Sequence, residues 1–246
     1  MTYLDEVLEG QRVGAEIEGA VRARREAVEG ILRGGWKDGR PRFYYGGSFA
    51  KRTTIAAAFD LDVVMYFPRE SASGPRALYG AVEERLRRAG HTPVRHNVSL
   101  RLRYTAGWHI DVVPGRAIDD GYEYARLWAS ETGGERQTSL KTHIEAARNG
   151  DREVVRLLKL WRARQAVPVG SFVLELAAVR AHGGGPLEER FRRVLRFLGG
   201  EFMEARLVDP ANSANVVTDE IEWGRKRAIA DAARAACEAD WERVVW

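Results

Sequence analysis

The sequence predicts an α+β protein in which a mixed sheet with helices forms an N-terminal lobe and helices form most of a C-terminal lobe. In the first half, short runs rich in Val, Tyr and Phe alternate with segments of helical periodicity. Beyond Pro114, the apolar residues recur at helical spacing, and Gly, Pro or Asn separate the segments. We therefore place the first lobe at residues 1–126 and the second at residues 127–246.

The first lobe opens with apolar residues at mostly helical spacing over residues 2–33, with charged residues between them. This pattern predicts one long amphipathic helix, whether continuous or broken. Strands are then expected at residues 43–45 and 61–67, separated from the next strands by a helix at 75–89. Residues 94–104 and 108–113 are expected to pair as a hairpin whose turn lies at 105–107.

The second lobe contains four further amphipathic segments, which predict helices at residues 139–148, 151–164, 171–182 and 187–198. Residues 218–246 predict one terminal helix. The sequence shows no internal repeat and no low-complexity linker.

Composition excludes several classes of protein. The single cysteine, Cys237, excludes an internal disulfide framework and a zinc site built from several cysteines. The sequence has neither a signal peptide nor a membrane-spanning apolar run, so we expect a cytoplasmic protein without a membrane partner. The net charge of +4 is spread over a mixed surface, and it favours polyanionic ligands such as nucleoside triphosphates and nucleic acids without choosing between them.

Asp60 and Asp62 begin the strand expected at residues 61–67. Residues two apart in a strand point to the same face, so the two carboxylates lie side by side. Carboxylates this close raise each other's proton affinity unless they share a cation. Mg²⁺ takes oxygen ligands from one or two carboxylates together with phosphates and water, so the pair predicts a magnesium site facing a phosphate.

Asp111 is a charged residue inside an otherwise apolar strand, where an unpaired carboxylate is costly, so we expect it to have a cationic partner. If its strand lies beside residues 61–67, Asp111 completes a site for two metal ions. Such a pair of ions stabilises the attacking and the leaving oxygens in a displacement at phosphorus.

The segment that contains Gly47 and Ser48 fits the same chemistry. A residue without Cβ lets backbone N–H groups and a serine hydroxyl approach phosphate oxygens, and Lys51 adds positive charge nearby. Each signal is weak by itself, because Gly-Ser turns and Asp-x-Asp pairs are common. Their order along the chain gives them weight.

In this order the motifs resemble the polymerase-beta-like nucleotidyltransferase superfamily, whose pattern is Gly-Ser, then Asp-x-Asp about a dozen residues later, then a third Asp on a later strand. More narrowly, the chain resembles the branch of oligoadenylate synthetases, cyclic GMP-AMP synthase, CCA-adding enzymes and the bacterial cyclic-oligonucleotide synthases, or CD-NTases. Arg52 and Phe59 depart from the pattern, since relatives often have Gly and Ser there.

The resemblance extends to the second lobe, where residues 154–161, 167–176 and 207–216 are similar to segments of that branch. It implies that Lys159 contacts the triphosphate and that Phe172 stacks on a nucleobase with Ser171 close by. The alternatives are a surface lysine and a core phenylalanine. His109 and His143 have no ligand-spaced neighbours, so we interpret them as structural.

The resemblance implies an enzyme that joins nucleoside triphosphates into a cyclic or short linear second messenger in antiphage defence, using two Mg²⁺ ions or Mn²⁺. The predicted terminal helix is too short to bind tRNA as the CCA-adding enzymes do, which favours a small molecule as the acceptor of the nucleotidyl group. Transfer onto RNA, a protein or another small molecule, and a non-catalytic nucleotide-binding module, remain as alternatives. An RNA or peptide activator is left open.

Overall fold

The structure, a computed structural model, describes residues 1–37, 39–104 and 108–246. Over these residues the strands are Arg42–Tyr45 (β1), Asp60–Phe67 (β2), Val94–Arg95 (β3), Leu100–Arg103 (β4), His109–Ala117 (β5), Ala125–Ala129 (β6), Gly134–Thr138 (β7), Val208–Asp209 (β8) and Asn212–Val216 (β9). The α helices are Tyr3–Gly10 (α1), Ala15–Leu32 (α2), Gly47–Lys51 (α3), Pro75–Arg88 (α4), Leu140–Asn149 (α5), Arg152–Arg164 (α6), Ser171–Arg180 (α7), Leu187–Gly199 (α8), Trp223–Glu238 (α9) and Trp241–Val244 (α10).

The chain divides into two units. The sheet unit consists of Val13–Arg52 and Ala58–Thr142, and the helical unit consists of Met1–Arg12, Thr53–Ala57 and His143–Trp246. Within the sheet unit the strand order is β1-β2-β5-β4-β3, with β6 paired to β5 and β7 paired to β6. The β2 and β5 strands run parallel, whereas β1 lies antiparallel to β2 and β4 lies antiparallel to β5.

Burial on both faces explains why β2 is almost entirely apolar. Leu61, Val63 and Met65 pack against α2 and α4 in one cluster, whereas Val64 and Tyr66 pack in another. A parallel central strand with both faces covered has a nearly continuous apolar sequence rather than an alternating one. The ends of α4 have the residues that favour a helix there: Pro75 is the first residue, and arginines occupy the last turn, where they complement the helix dipole.

The helical unit has its own core, in which Trp161 of α6 and Phe191 of α8 are fully buried. The α6 helix begins where Asp151 accepts hydrogen bonds from the backbone N–H groups of Glu153 and Val154. Leu4 of α1 and Ile55, from the short segment between the two parts of the sheet unit, belong to the same core.

The predicted α+β class with a mixed sheet is confirmed, as are the strands at residues 43–45 and 61–67. The predicted hairpin is confirmed for residues 100–103, which pair with 109–112, but residues 94–95 form the separate strand β3, which pairs with β4. The predicted turn at residues 105–107 lies outside the described residues. The helical N-terminal segment is broken, which was one of the two possibilities: α1 ends at Gly10 with Gln11 as its C-cap, and α2 begins after Gly14, whose backbone is extended. The terminal segment is likewise divided into α9 and α10.

The strands β6 and β7 were missed by the sequence analysis, which expected helices beyond Pro114. The β6 strand (Ala-Arg-Leu-Trp-Ala) alternates between buried and more exposed residues over only five positions, and β7 (Gly-Glu-Arg-Gln-Thr) carries no apolar residue, so neither gives a strong strand signal. Backbone hydrogen bonds nevertheless pair β6 with β5, and β7 is paired with β6 in the same way. The longest segment of the helical unit begins at His143, and Met1–Arg12 and Thr53–Ala57 also belong to that unit.

No helix in the described parts of the chain is both long enough and apolar enough to cross a membrane.

Two glycines of the sheet unit test the packing of β5. A Cβ on Gly115 would lie 2.6 Å from Leu127 Cδ2 and 3.1 Å from Tyr66, whereas a Cβ on Gly80 of α4 would meet nothing within 4 Å. We expect Gly115→Ala to lower the free energy of unfolding by about 1–3 kcal/mol through overpacking. Gly80→Ala should raise it by about 0.5–1 kcal/mol, since Ala is the better helix former. Urea unfolding measures both, and equal effects would contradict this packing of β5.

Candidate active site

The three aspartates meet on one face of the sheet unit. In the parallel pairing of β2 with β5, Asp62 is the direct neighbour of Asp111, and Asp60 is the neighbour of His109. Neighbouring residues in adjacent strands point to the same face, and so do residues two apart. The expectation that the strand of Asp111 lies beside residues 61–67 is therefore confirmed.

The Gly-Ser segment packs directly against these carboxylates. The Gly46 N–H donates a hydrogen bond to the Asp62 carbonyl (2.9 Å), and the Ser48 hydroxyl lies 3.4 Å from Asp60 Oδ1. At Gly47 the backbone has φ +52°, and a Cβ built there would lie 1.6 Å from Asp62 Oδ2. Only glycine fits this position, both for its conformation and for the space that the Asp62 carboxylate occupies.

Arg52, one of the two departures from the family pattern, ends α3 in the left-handed conformation (φ 58°, ψ 39°). Non-glycine residues seldom adopt this conformation, because Cβ crowds the following carbonyl. The backbone therefore takes the shape that glycine would give it, and the arginine strains the chain there. Lys51, the preceding residue, is buried.

Asp111 is held by a cation that the protein itself supplies. Arg101, opposite Asp111 in the antiparallel pairing of β4 and β5, donates hydrogen bonds from Nε to Oδ1 (2.9 Å) and from Nη2 to Oδ2 (2.7 Å). This bidentate geometry is the strong form of a carboxylate–guanidinium pair. The hydrogen bonds to Asp111 raise the pKa of Arg101. The expected cationic partner of Asp111 is thus found, although both carboxylate oxygens are engaged by Arg101.

His109 lies between two of the carboxylates. Its Nε2 is 3.7 Å from both Asp60 Oδ2 and Asp111 Oδ2, which is too far for a hydrogen bond. That nitrogen is buried and has no hydrogen-bond partner among the described residues. Burial lowers the pKa of His109, and the Asp111 and Asp60 carboxylates only partly oppose this. The imidazole is therefore neutral at pH 7.

The donor atoms at this face suit a hard cation, because they are carboxylate and hydroxyl oxygens. As the side chains stand, however, the described residues contain no group of three or more His, Cys, Asp or Glu positioned to hold a metal ion. Both oxygens of Asp111 are engaged by Arg101.

The site residues predicted in the second lobe lie in the helical unit. Lys159 of α6 is buried, and its Nζ donates hydrogen bonds to the carbonyl and hydroxyl oxygens of Thr53 and lies 4.0 Å from the Glu175 carboxylate. It is therefore not the exposed surface lysine that was the alternative. Its predicted contact with a triphosphate remains a prediction.

Ser171 and Phe172 begin α7. The Ser171 hydroxyl accepts a hydrogen bond from Arg162 Nη1 (2.7 Å). Phe172 is half-buried, and its ring meets the His143 ring at an angle of 61° with the centroids 5.1 Å apart. Base stacking by Phe172 remains a prediction.

His143 belongs to a polar cluster that the sequence analysis did not identify. Its Nε2 lies 2.7 Å from Oδ1 of Asp209, a buried carboxylate that also accepts hydrogen bonds from the Ala211 N–H (2.8 Å) and Asn215 Nδ2 (3.2 Å). Burial raises the pKa of Asp209, but these hydrogen bonds outweigh burial and lower it overall. The structural role expected for His143 is to link α5 to the β8–β9 hairpin.

The left-handed conformation of Arg52 yields a prediction for stability. We expect Arg52→Gly to raise the free energy of unfolding by about 1 kcal/mol, because glycine adopts this backbone without the steric cost that Cβ imposes. Arg52→Ala serves as the control: it removes the exposed side chain but keeps Cβ, so it should show no comparable gain. Urea unfolding measures both, and equal stabilisation by the two variants would show that strain is not the cause.

Comparisons with known proteins identify relatives in sequence and in fold. No protein-family profile matches the sequence. The CBASS oligonucleotide cyclase CdnC of Escherichia coli is 26% identical to the chain over 199 residues, which cover 70% of the chain and 62% of that relative. The match thus spans less than two thirds of the relative's length.

Solved structures match over nearly the whole chain. The CD-NTase CdnG of Bradyrhizobium diazoefficiens in complex with GTP has a TM-score of 0.81 at 17% identity and covers 95% of this chain and 89% of its own. CdnC of E. coli MS115-1 with ATP has a TM-score of 0.70 at 22% identity, with 96% and 89% covered. The DncV cyclic AMP-GMP synthase of Vibrio cholerae has a TM-score of 0.70 at 18% identity, with 95% and 89% covered. The chain therefore has the fold of the CD-NTases, as the resemblance inferred from its sequence predicted.

Proposed function

We propose that this protein is a metal-dependent nucleotidyltransferase that joins nucleoside triphosphates into a cyclic or short linear oligonucleotide, with release of pyrophosphate. One observation carries the proposal. The pairing of β2 with β5 sets Asp62 beside Asp111, while Gly47 leaves the space that the Asp62 carboxylate fills. Aspartates grouped in this way on a sheet face, next to a Gly-Ser turn, suit metal-assisted transfer at phosphorus.

The metal site in this proposal consists of Asp60, Asp62 and Asp111. Asp60 and Asp62 supply oxygen ligands for Mg²⁺, or for Mn²⁺ in its place. Asp111 would join them if one of its oxygens were released from Arg101, and the three carboxylates would then hold two ions. The bound ions supply charge neutralisation for the triphosphate and lower the pKa of the attacking hydroxyl.

Other residues of the sheet unit position the substrate. The Ser48 hydroxyl and the backbone N–H groups beside Gly47 donate hydrogen bonds to phosphate oxygens. Lys51 adds positive charge at the end of the same short helix. His109 is neutral, so it adds no positive charge that would compete with a cation between Asp60 and Asp111.

We assign nucleotide contacts in the helical unit by resemblance. Phe172 stacks on a nucleobase, and Ser171 lies close to it. Lys159 approaches the triphosphate by exchanging hydrogen bonds with Thr53 for bonds to phosphate oxygens, since an ammonium group can redirect its three donors.

We infer the nature of the product from the relatives. CdnC is named as a CBASS oligonucleotide cyclase, DncV as a cyclic AMP-GMP synthase, and CdnG was solved with GTP. We infer a cyclic oligonucleotide that acts as a second messenger in CBASS antiphage defence. CdnC of E. coli MS115-1 was solved in complex with HORMA, so a protein partner of that type is the activator to test with this chain.

The experiment that tests the proposal is product analysis. The purified protein, alone and with a HORMA-domain partner, is incubated with Mg²⁺ and all four nucleoside triphosphates. We expect pyrophosphate release and phosphatase-resistant oligonucleotides detected by mass spectrometry. Label that appears on added RNA or on protein would replace the second-messenger proposal with transfer to that acceptor. Binding of triphosphates without pyrophosphate release under either condition would indicate a non-catalytic module.

The aspartates give the first prediction of this function. Asp60→Asn, Asp62→Asn and Asp111→Asn should each lower the rate of pyrophosphate release by about 10³-fold, because several kcal/mol of charge stabilisation are lost. Asp120→Asn is the control, since the Asp120 side chain is 79% exposed. EDTA should abolish the activity, and Mg²⁺ should restore it. A wild-type rate in Asp62→Asn would refute the metal-site assignment.

Gly47 gives the second prediction. In Gly47→Ala, the new Cβ must displace the Asp62 carboxylate, and a displacement of about 1 Å at a reacting centre costs about 100-fold in rate. Gly90→Ala is the matched control, because Gly90 also has a positive φ (85°) but no neighbour within 4 Å of a Cβ. Both variants bear the backbone strain, so only the displacement of Asp62 distinguishes them. Equal rates of pyrophosphate release would show that the Gly47 position is not part of the site.

A further inference from the structure

Apart from the candidate active site, the sheet unit contains a cavity with the volume of a small-molecule site. A cavity of about 710 Å³ lies between the end of α2, the loop that follows it and the C-terminal half of α4. Ile31 and Ala81 form apolar parts of its wall, and its charged lining consists of three cations and one carboxylate, beside Trp36: Lys37, Arg85, Arg88 and Glu84. Small-molecule sites in proteins commonly occupy about 300–1,000 Å³.

This cavity lies far from the aspartates. The Trp36 ring packs edge-on against the ring of Phe67, with the centroids 4.9 Å apart. Phe67 is the last residue of β2 and Asp60 is the first. A strand rises about 3.3 Å per residue, so roughly 23 Å of β2 separates the two positions. The cavity is therefore not part of the candidate active site.

The loop after α2 fixes a guanidinium group at the cavity wall. Arg85 lies 4.1 Å over the Trp36 ring and donates hydrogen bonds to the carbonyl oxygens of Gly34 and Gly35. Gly35 has φ +71°, and a Cβ there would come within 3.1 Å of Arg85 Nη2. Trp36 is held in turn by a hydrogen bond from Nε1 to the Leu32 carbonyl. Arg85 and Trp36 thus form a prearranged stack.

The charges around the cavity favour an anion. The partners of the Arg85 guanidinium in the described part of the chain are two carbonyls and an aromatic ring, none of which carries a negative charge. Arg88 pairs with Glu84 at 2.9 Å, but both side chains are more than half exposed, so this pair is weak and exchangeable. Lys37 adds a third cation to the wall.

We propose that this cavity binds a small organic anion that carries a flat ring and a phosphate group, of the size of a nucleoside monophosphate. The ring extends the stack of Trp36 and Arg85, since guanidinium and indole faces both accept planar partners. The phosphate pairs with Arg88 and Lys37. The proposal is independent of the function proposed above, because none of these residues belongs to the candidate active site.

Hydrogen–deuterium exchange and calorimetric titration with 5′-GMP and 5′-AMP test the proposal. Both are carried out in EDTA, so that metal-dependent binding at the aspartates is suppressed. We expect saturable binding of at least one nucleotide and slower exchange in residues 31–37 and 81–89. Asp62→Asn should bind equally well. Guanosine, adenosine and inorganic phosphate, which each lack one half of the ligand, should bind at least about tenfold more weakly.

Two neighbouring arginines provide matched variants. Arg87 and Arg88 each pair with the glutamate four residues earlier, at 2.7 Å and 2.9 Å, but only Arg88 lines the cavity. Arg88→Gln should weaken binding about tenfold or more, and Arg87→Gln should leave it unchanged. Arg85→Gln should abolish binding.

Four results would overturn the proposal. The first is no binding at millimolar nucleotide, and the second is slower exchange confined to residues 46–62. The third is inorganic phosphate binding as tightly as the nucleotide, which would show that no ring is recognised. If Arg87→Gln and Arg88→Gln weakened nucleotide binding equally, the binding would depend only on the general surface charge, and a specific site would likewise be rejected.

Discussion

The parallel pairing of β2 with β5 is the constraint on which the rest of the sheet unit depends. It is possible because both strands are largely apolar and are covered by other elements. The register is fixed because a slip by one residue would turn every apolar side chain of a strand to the opposite face. In this register Asp62 must lie beside Asp111. The same packing that buries the core therefore groups the carboxylates.

Grouping carboxylates is costly, and the structure offsets part of the cost locally. Arg101 binds both oxygens of Asp111 from the adjacent strand, and the Ser48 hydroxyl approaches Asp60. A metal ion offsets the same repulsion in the proposed reaction. In the proposed function, Arg101 and a metal ion would compete for the Asp111 carboxylate, so the binding of ion and substrate would have to offset the loss of a strong ion pair. The strained backbone at Arg52 lies directly after the short helix that Gly47 begins, consistent with strain being tolerated at functional sites.

Sequence patterns predicted elements wherever burial leaves a periodic signature. The β2 strand was identifiable from its apolar run, and the pairing of β4 with β5 from alternation and a short connection. The β7 strand was not identifiable, because its backbone is held by β6 and its side chains need not be apolar. Arg101 could have been predicted as the partner of Asp111, since the hairpin register places them opposite each other.

The sequence by itself determined the α+β class, the side-by-side placement of Asp60 and Asp62, and the resemblance to the nucleotidyltransferases. The first two follow from local spacing, because apolar periodicity differs between helices and strands and residues two apart share a strand face. The tertiary structure decided that Asp111 is held by Arg101, that Lys159 is buried against Thr53, and that Arg85 lies over Trp36 at a cavity. Each of these contacts joins residues on different elements, and the packing of those elements, rather than their spacing in sequence, sets which side chains meet.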